Sequence, residues 1–207
     1  HQQKTKRSVS VMVETWTTDM KVKLVTDPIH YLYIEDLYDD YELEKIWIEL
    51  DYFQSLDNSP FGETSSAKID GERLKRNSGF DIDQYRCSSL LNYSEKIFDI
   101  LRTQENSWFF TNLYRLGFGG LLSYYDNGGY YKPHYDGAIV TAVTWFHKDP
   151  KSYSGGNFNF TDFDISFECK SNSCVIFPSQ VNHHVDPVIG KCERGHGRYC
   201  YTQFLRH

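Results

Sequence analysis

The residues with the most chemical potential lie in the stretch Tyr125-Asp126-Asn127-Gly128-Gly129-Tyr130-Tyr131-Lys132-Pro133-His134-Tyr135-Asp136. His134 and Asp136 are two apart, in a tyrosine-rich run followed by β-branched residues. In an extended segment, side chains at i and i+2 share a face, so an imidazole and a carboxylate would stand side by side. That is two thirds of a two-histidine, one-carboxylate set, which leaves one face of a ferrous ion open for a bidentate ligand and dioxygen. A structural zinc would instead want four protein ligands. A second histidine must complete the set, and both His183 and His184 are candidates, in Phe177-Pro178-Ser179-Gln180-Val181-Asn182-His183-His184-Val185-Asp186-Pro187-Val188. A lone His-x-Asp also occurs by chance, so a surface pair competes with a metal site on spacing alone.

The elements that must hold these residues are mostly short strands. Ile139 to Phe146 is a buried-strand candidate, and Asp149 to Gly156 is a turn-rich loop. Asn157 to Phe163, Ile165 to Phe167, Ser173 to Phe177 and Arg198 to Phe204 continue the series. Upstream, Val9, Val11 and Val13 alternate as in an edge strand, and Ile29 to Ile34 reads as another strand. Leu43, Ile46, Trp47 and Leu50 recur at helical spacing after the acids Glu35 and Asp36; Leu90, Tyr93, Ile97, Ile100 and Leu101 give a second helix. Asn106 to Leu122, with Trp108, Phe109, Phe110, Leu113 and Tyr114, reads as an aromatic strand that Gly117, Gly119 and Gly120 loosen. Residues 54–86 are polar with little periodicity, the signature of either a binding loop or lid or a solvated excursion with a short hairpin. Helices early and strands late indicate an α+β chain, mainly β, with an antiparallel double sheet as its core.

Composition narrows the function. The 207 residues are expected to form one domain, with 1–110 as a strand-and-helix support and 111–207 as the catalytic core. Sixteen tyrosines, 14 phenylalanines and 4 tryptophans suit a strand-rich fold with a lined groove. A net charge of -6 with interspersed acids and bases argues against nucleic acid as a partner. No apolar run reaches the roughly 18 residues of a membrane span, and no secretory signal is expected. Five cysteines, four of them in the last third, do not read as a disulfide framework, so reduced thiols and a cytoplasmic location are expected. The alternative use is a zinc site drawn from Cys169, Cys174, Cys192, His196 and Cys200, although paired C-x2-C spacing is missing.

Taken together, Tyr125, Gly128-Gly129, Tyr131, Pro133, His134 and Asp136 resemble the signature of the prolyl 4-hydroxylase-like 2-oxoglutarate, Fe(II)-dependent dioxygenases. Val140-Thr141, Asp149-Pro150, Tyr153 and Gly155-Gly156 resemble the strand and turn that follow in that group. Phe177-Pro178-Ser179, His183, Val185 and Pro187-Val188 resemble its distal-histidine segment, and Gly197-Arg198-Tyr199 its basic co-substrate residue. The likeness covers about residues 120 to 207. Several ordered motifs are far more specific than any one of them.

The resemblance implies a double-stranded β-helix (a cupin-like jelly roll) with the N-terminal helices packed on one sheet. It implies His134, Asp136 and His183 as iron ligands, His183 being chosen over His184 by the family's His-x-Val-x-Pro-Val pattern. It implies Arg198 as the guanidinium fork for the far carboxylate of 2-oxoglutarate. Tyr125 and Thr141 correspond to co-substrate contacts in relatives, Tyr131 to a residue lining the site, and Trp145 falls where some relatives place a tyrosine on the co-substrate. The spacing from His183 to Arg198 is 15, where relatives have about ten. The residues around Lys191 to His196 must therefore loop out, and Arg194 is the alternative anion clamp that ranks behind Arg198. The implied cofactors are Fe(II), 2-oxoglutarate and dioxygen, with ascorbate as reductant, and the implied reaction is hydroxylation of a prolyl residue in a peptide or protein, releasing succinate and CO2. The alternatives are the same chemistry on another side chain, a free amino acid or a nucleobase, and a jelly-roll binding module without turnover.

Overall fold

The computed structural model describes residues 11–12, 20–64, 68–113 and 116–207. Two antiparallel sheets face each other across an aromatic layer. The large sheet runs in the order β1 (Val11–Met12), β2 (Lys21–Val25), β3 (Tyr31–Glu35), β14 (Ser173–Pro178), β10 (Val140–Phe146), β17 (Arg198–Arg206), β8 (Gly117–Tyr125), β7 (Ser78–Asp81). The small sheet runs β13 (Ile165–Phe167), β12 (Phe158–Phe160), β15 (His183–Val185), β9 (Tyr130–His134), β6 (Lys75–Arg76). Two minor pairs complete the set, β11 (Ser154–Gly155) with β16 (Val188–Ile189), and the hairpin of β4 (Lys68–Ile69) and β5 (Glu72–Arg73). This is the α+β, mainly β jelly roll the sequence led us to expect.

Strand β10 shows why the sheets stack as they do. All seven of its residues are buried, because its two faces serve two cores. Val140, Ala142 and Phe146 join the cluster under the helices, with Leu32, Ile34, Ile46 and Leu50. Val143 and Trp145 join the layer between the sheets, with Phe158, Phe160, Phe177 and Val185. Period-two alternation sends neighbours to opposite sides, and apolar residues on both sides make a central strand.

Helix α1 (Asp40–Ser55) covers the outer face of the large sheet. Asp39 starts it as a capping box: its side chain accepts from the Glu42 amide, and the Glu42 carboxylate accepts from the Asp39 amide. The second expected helix is two short ones, α2 (Ser89–Asn92) and α3 (Glu95–Arg102). The break lies at Ser94, whose hydroxyl is 2.7 Å from the Leu90 carbonyl and 2.8 Å from the Tyr201 hydroxyl on β17.

The aromatic strand expected over Asn106 to Leu122 is not formed as such. Trp108–Thr111 is a short helix, α4, because the Ser107 hydroxyl accepts from the Phe110 amide at 3.2 Å. The strand starts at Gly117, and the glycines expected to loosen it lie inside it. Gly120 is needed there: a Cβ would meet Ile82 Cγ2 at 2.6 Å. Tyr114 lies outside the described residues, as do Val9 and Val13. Residues 54–86 hold the hairpin and also give β6 to the small sheet and β7 to the large one. Among the described residues no helix is long and apolar enough to cross a membrane.

Ile46 is 0 % exposed between α1 and the sheet. Ile46→Ala should cost about 2–5 kcal/mol of stability in urea unfolding, with the slope of the transition unchanged.

Candidate active site

Strands β9 and β15 are antiparallel neighbours, and their register sets His134 directly opposite His183. The two imidazoles tilt toward each other, with ring centroids 4.2 Å apart. Each ring is fixed from behind. His134 Nδ1 is 2.8 Å from the Lys132 carbonyl oxygen, and His183 Nδ1 is 2.9 Å from that of Val181. A carbonyl only accepts, so each Nδ1 carries the proton and each Nε2 keeps its lone pair toward the partner.

Asp136 closes the triangle just beyond β9. Its Oδ1 is 3.8 Å from His134 Nε2 and its Oδ2 is 3.4 Å from His183 Nε2. The carboxylate is aimed by a relay: the Thr141 hydroxyl donates to Asp136 Oδ2 at 2.8 Å and lies 2.8 Å from the Ser179 hydroxyl. The Asp136 amide donates to the Ser179 carbonyl at 3.1 Å. The donor atoms of His134, Asp136 and His183 all lie within 4.8 Å of one another. Bonds of about 2.0–2.2 Å to a divalent ion put neighbouring N and O donors roughly 3 Å apart, so small side-chain rotations would close this set on one ion.

Burial, then the charge of His183, lowers the His134 pKa from 6.5 to about 4. Burial alone would raise the Asp136 carboxyl. The hydrogen bond and charge of His183, then His134 and the Thr141 hydroxyl, outweigh it and hold Asp136 below the ordinary carboxylate range. At neutral pH this keeps the His134 imidazole uncharged and the Asp136 carboxylate charged, the states in which each can bind a divalent metal.

The remaining predicted residues fall into two groups around this centre. Tyr131 stacks on His134, ring centroids 3.5 Å apart and planes 14° off parallel. Tyr125 is buried opposite Arg198 in register, and the guanidinium carbon lies 4.8 Å from its ring centroid. Arg198 is 0 % exposed. Its Nη2 reaches Cys169 Sγ at 3.4 Å, while its Nε and Nη1 have no hydrogen-bond partner. The Trp145 indole nitrogen and the Tyr153 hydroxyl are buried without partners as well. A buried guanidinium with two unpartnered nitrogens lacks the anion that such a fork ordinarily pairs with. Gly156 makes room for the Arg198 side chain: the residue has φ +68°, and a Cβ there would meet Arg198 Cδ at 3.1 Å. Thr141 turns its hydroxyl to Asp136 and Ser179.

Other candidates are placed elsewhere. His184 faces away, 2.9 Å from the Thr161 hydroxyl and 3.5 Å from Asp186. Arg194 lies in the looped-out segment and donates to the Leu56 carbonyl at 2.8 Å. The five cysteines are free thiols, and among the described residues they form no metal cluster. Cys174 belongs to the core under the helices and Cys200 to the core between the sheets, so a sheet separates them.

Sequence reasoning missed Lys75. It is 1 % exposed on β6 and lines a cavity of about 950 Å³ together with His134, Asp136, His183, Tyr125 and Tyr131. Burial lowers its pKa to about 8, against the opposing pull of Cys200 and Asp136. Nothing local marks it, since a lysine in a polar segment reads as solvated.

The pattern of the 2OG-Fe(II) oxygenase superfamily matches residues 120–206, from the end of β8's glycine run through β17. Those residues build most of the double sheet that surrounds His134, Asp136 and His183. Solved structures agree on that fold. A viral collagen prolyl hydroxylase from Paramecium Bursaria Chlorella virus-1, in its 2OG complex, superposes with TM-score 0.62 at 14% identity, covering 87% of this chain and 98% of that one. A Pseudomonas putida prolyl-4-hydroxylase gives 0.63 at 16%, covering 86% and 92%. A Trichoplax adhaerens prolyl hydroxylase, in complex with a hypoxia inducible factor peptide fragment, gives 0.63 at 16%, covering 85% and 83%. No curated protein sequence matches the chain. The matched stretch contains His134, Asp136, His183, Tyr125, Tyr131, Thr141 and Arg198, whereas Lys75 enters the cavity from outside it.

The lowered His134 pKa has a consequence for stability. Between about 4 and 6.5 the unfolded chain binds more protons at this ring than the folded one does. The metal-free protein should therefore lose stability as pH falls through that window, and His134→Gln should flatten the dependence. Urea midpoints measured from pH 7 to pH 4 check this.

Proposed function

We propose that this chain is a 2-oxoglutarate- and Fe(II)-dependent dioxygenase that hydroxylates prolyl residues in a peptide or protein. The observation that carries the reading is the convergence of two Nε2 lone pairs and one carboxylate on a single point at the wall of a large cavity. His134, Asp136 and His183 would hold the ferrous ion. Arg198, with the unpartnered donors of Trp145 and Tyr153, would hold the far carboxylate of 2-oxoglutarate. When bound, the ion supplies an oxidative reaction in which dioxygen and 2-oxoglutarate give succinate, CO2 and one hydroxyl on the substrate.

The protein's own part is geometric and electrostatic. The carbonyls of Lys132 and Val181 keep the imidazoles in one tautomer and orientation. Thr141 and Ser179 keep one carboxylate oxygen in place. Tyr131 lies flat on His134 and restricts its rotation. The cavity has room for an extended peptide segment, and the fold it shares with prolyl hydroxylases supports a prolyl side chain as the target. Ascorbate belongs to the proposal as the reductant that keeps the metal ferrous.

Purified protein incubated with Fe(II), 2-oxoglutarate, ascorbate and proline-containing peptides should add one oxygen to proline by mass spectrometry and release succinate. His134→Ala should abolish both. Succinate without any hydroxylated proline would move the reaction to another substrate, and no succinate at all would leave a binding module. Arg198→Met should raise the KM for 2-oxoglutarate by about tenfold or more, since a charge-assisted bidentate pair is lost. Thr141→Val frees the carboxylate and should weaken metal affinity by about 10–100-fold in a competition titration.

A further inference from the structure

Lys75 reaches the catalytic cavity from the segment that precedes the oxygenase motif. On β6 it stands opposite Tyr131 of β9 in register. Its Nζ lies 4.9 Å from the centroid of the Tyr131 ring, whose plane rests on His134. Lysine, tyrosine and histidine thus form one stack that ends at the metal-ligand cluster. The lysine is 1 % exposed and lines the cavity, where the Cys200 thiol and Asp136 act on its charge. Among the described residues no hydrogen bond or ion pair reaches its ammonium; the Tyr131 ring is the contact it has.

That arrangement is expensive in the absence of a ligand. A buried ammonium needs a counter-charge, and a ring face replaces only part of the lost hydration. Asp136 does not serve, because its oxygens are engaged by Thr141 and turned to the two histidines. Arg198 is a separate cation, set against Tyr125 and Cys169. The cavity therefore presents a positive charge that the co-substrate fork does not account for.

We propose that Lys75 binds a carboxylate inside the catalytic cavity, an acidic group of either the co-substrate or the substrate, and so sets which ligand the site accepts. The identity of the ligand rests on the oxygenase reading, whereas the need for an anion at Lys75 does not.

Lys75→Met keeps the length and apolar packing of the side chain without its charge, and Lys75→Arg keeps the charge. In the metal-free, ligand-free protein, Lys75→Met should melt about 2–4 °C above the wild type, because an uncompensated buried charge is gone. Protein loaded with Mn(II) is then titrated calorimetrically with 2-oxoglutarate, with succinate, and with proline peptides carrying Glu or Gln beside the proline. Lys75→Met should weaken a carboxylate ligand by about tenfold or more, with Lys75→Arg recovering part of the loss. Loss confined to 2-oxoglutarate and succinate assigns the co-substrate as the source of the anion, and loss confined to the Glu peptide assigns the substrate. Equal affinities of wild type and Lys75→Met for every ligand bound overturn the proposal, whichever way the melting temperature moves. Should the wild type bind none of these ligands, the oxygenase reading fails. The melting comparison then decides on Lys75 alone, a lower value marking it as a packing residue.

Discussion

One cross-strand pair governs this molecule. His134 and His183 face each other on β9 and β15, and a slip of one residue in that register would send one imidazole to the opposite side of the small sheet. The pairing is irregular between His183 and Val185, so the strand is not simply regular around its functional residue. What holds the two rings is local: each leans on the carbonyl two residues before it in the chain. The long-range part is the meeting of two segments almost fifty residues apart, and the sheet supplies it.

The third donor depends on the other sheet. Asp136 follows β9, yet its carboxylate is oriented by Thr141 on β10 and, through it, by Ser179 just after β14. The donor triangle is therefore a joint between the two layers, and the packing of the aromatic core between them is part of the geometry of the site. Trp145, Phe158, Phe160 and Phe177 fill that core, and Phe158 and Phe177 lie with ring centroids 5.3 and 5.0 Å from His183. These rings pack His183 from the core side, so the position of that imidazole is tied to the packing between the sheets.

Two cations buried in one small fold are an unusual investment of stability. Arg198 sits at the start of β17, held by Tyr125, Cys169 and the tight turn at Gly156. Lys75 comes from a strand of only two residues contributed by the polar segment 54–86. That segment also gives a strand to the large sheet, so it is stitched to both layers and brings a charge to the cavity wall. The extra residues between His183 and Arg198 project toward the end of α1 instead, where Arg194 meets the Leu56 carbonyl and Tyr124 receives the amides of Gly195 and Gly197. They lengthen the connection without shifting Arg198 off the inner face.

Much of this was legible in the sequence. The His134-x-Asp136 spacing, the Gly155-Gly156 turn and the apolar run of β10 are local patterns, and strand periodicity translates them directly into faces and turns. The helix boundaries near Ser94 and Ser107 were less legible, since a hydroxyl that caps or breaks a helix acts through partners the local pattern does not contain. Gly120 misled for the same reason: it lies within a strand because Ile82 packs over it. By itself the sequence determined which residues can do chemistry and which face of its strand each one takes, because those depend on side-chain type and a two-residue period. Tertiary structure alone decided that Lys75 is buried at the cavity and that Thr141 serves Asp136. Both follow from which strands become neighbours, a choice made by packing across the whole core.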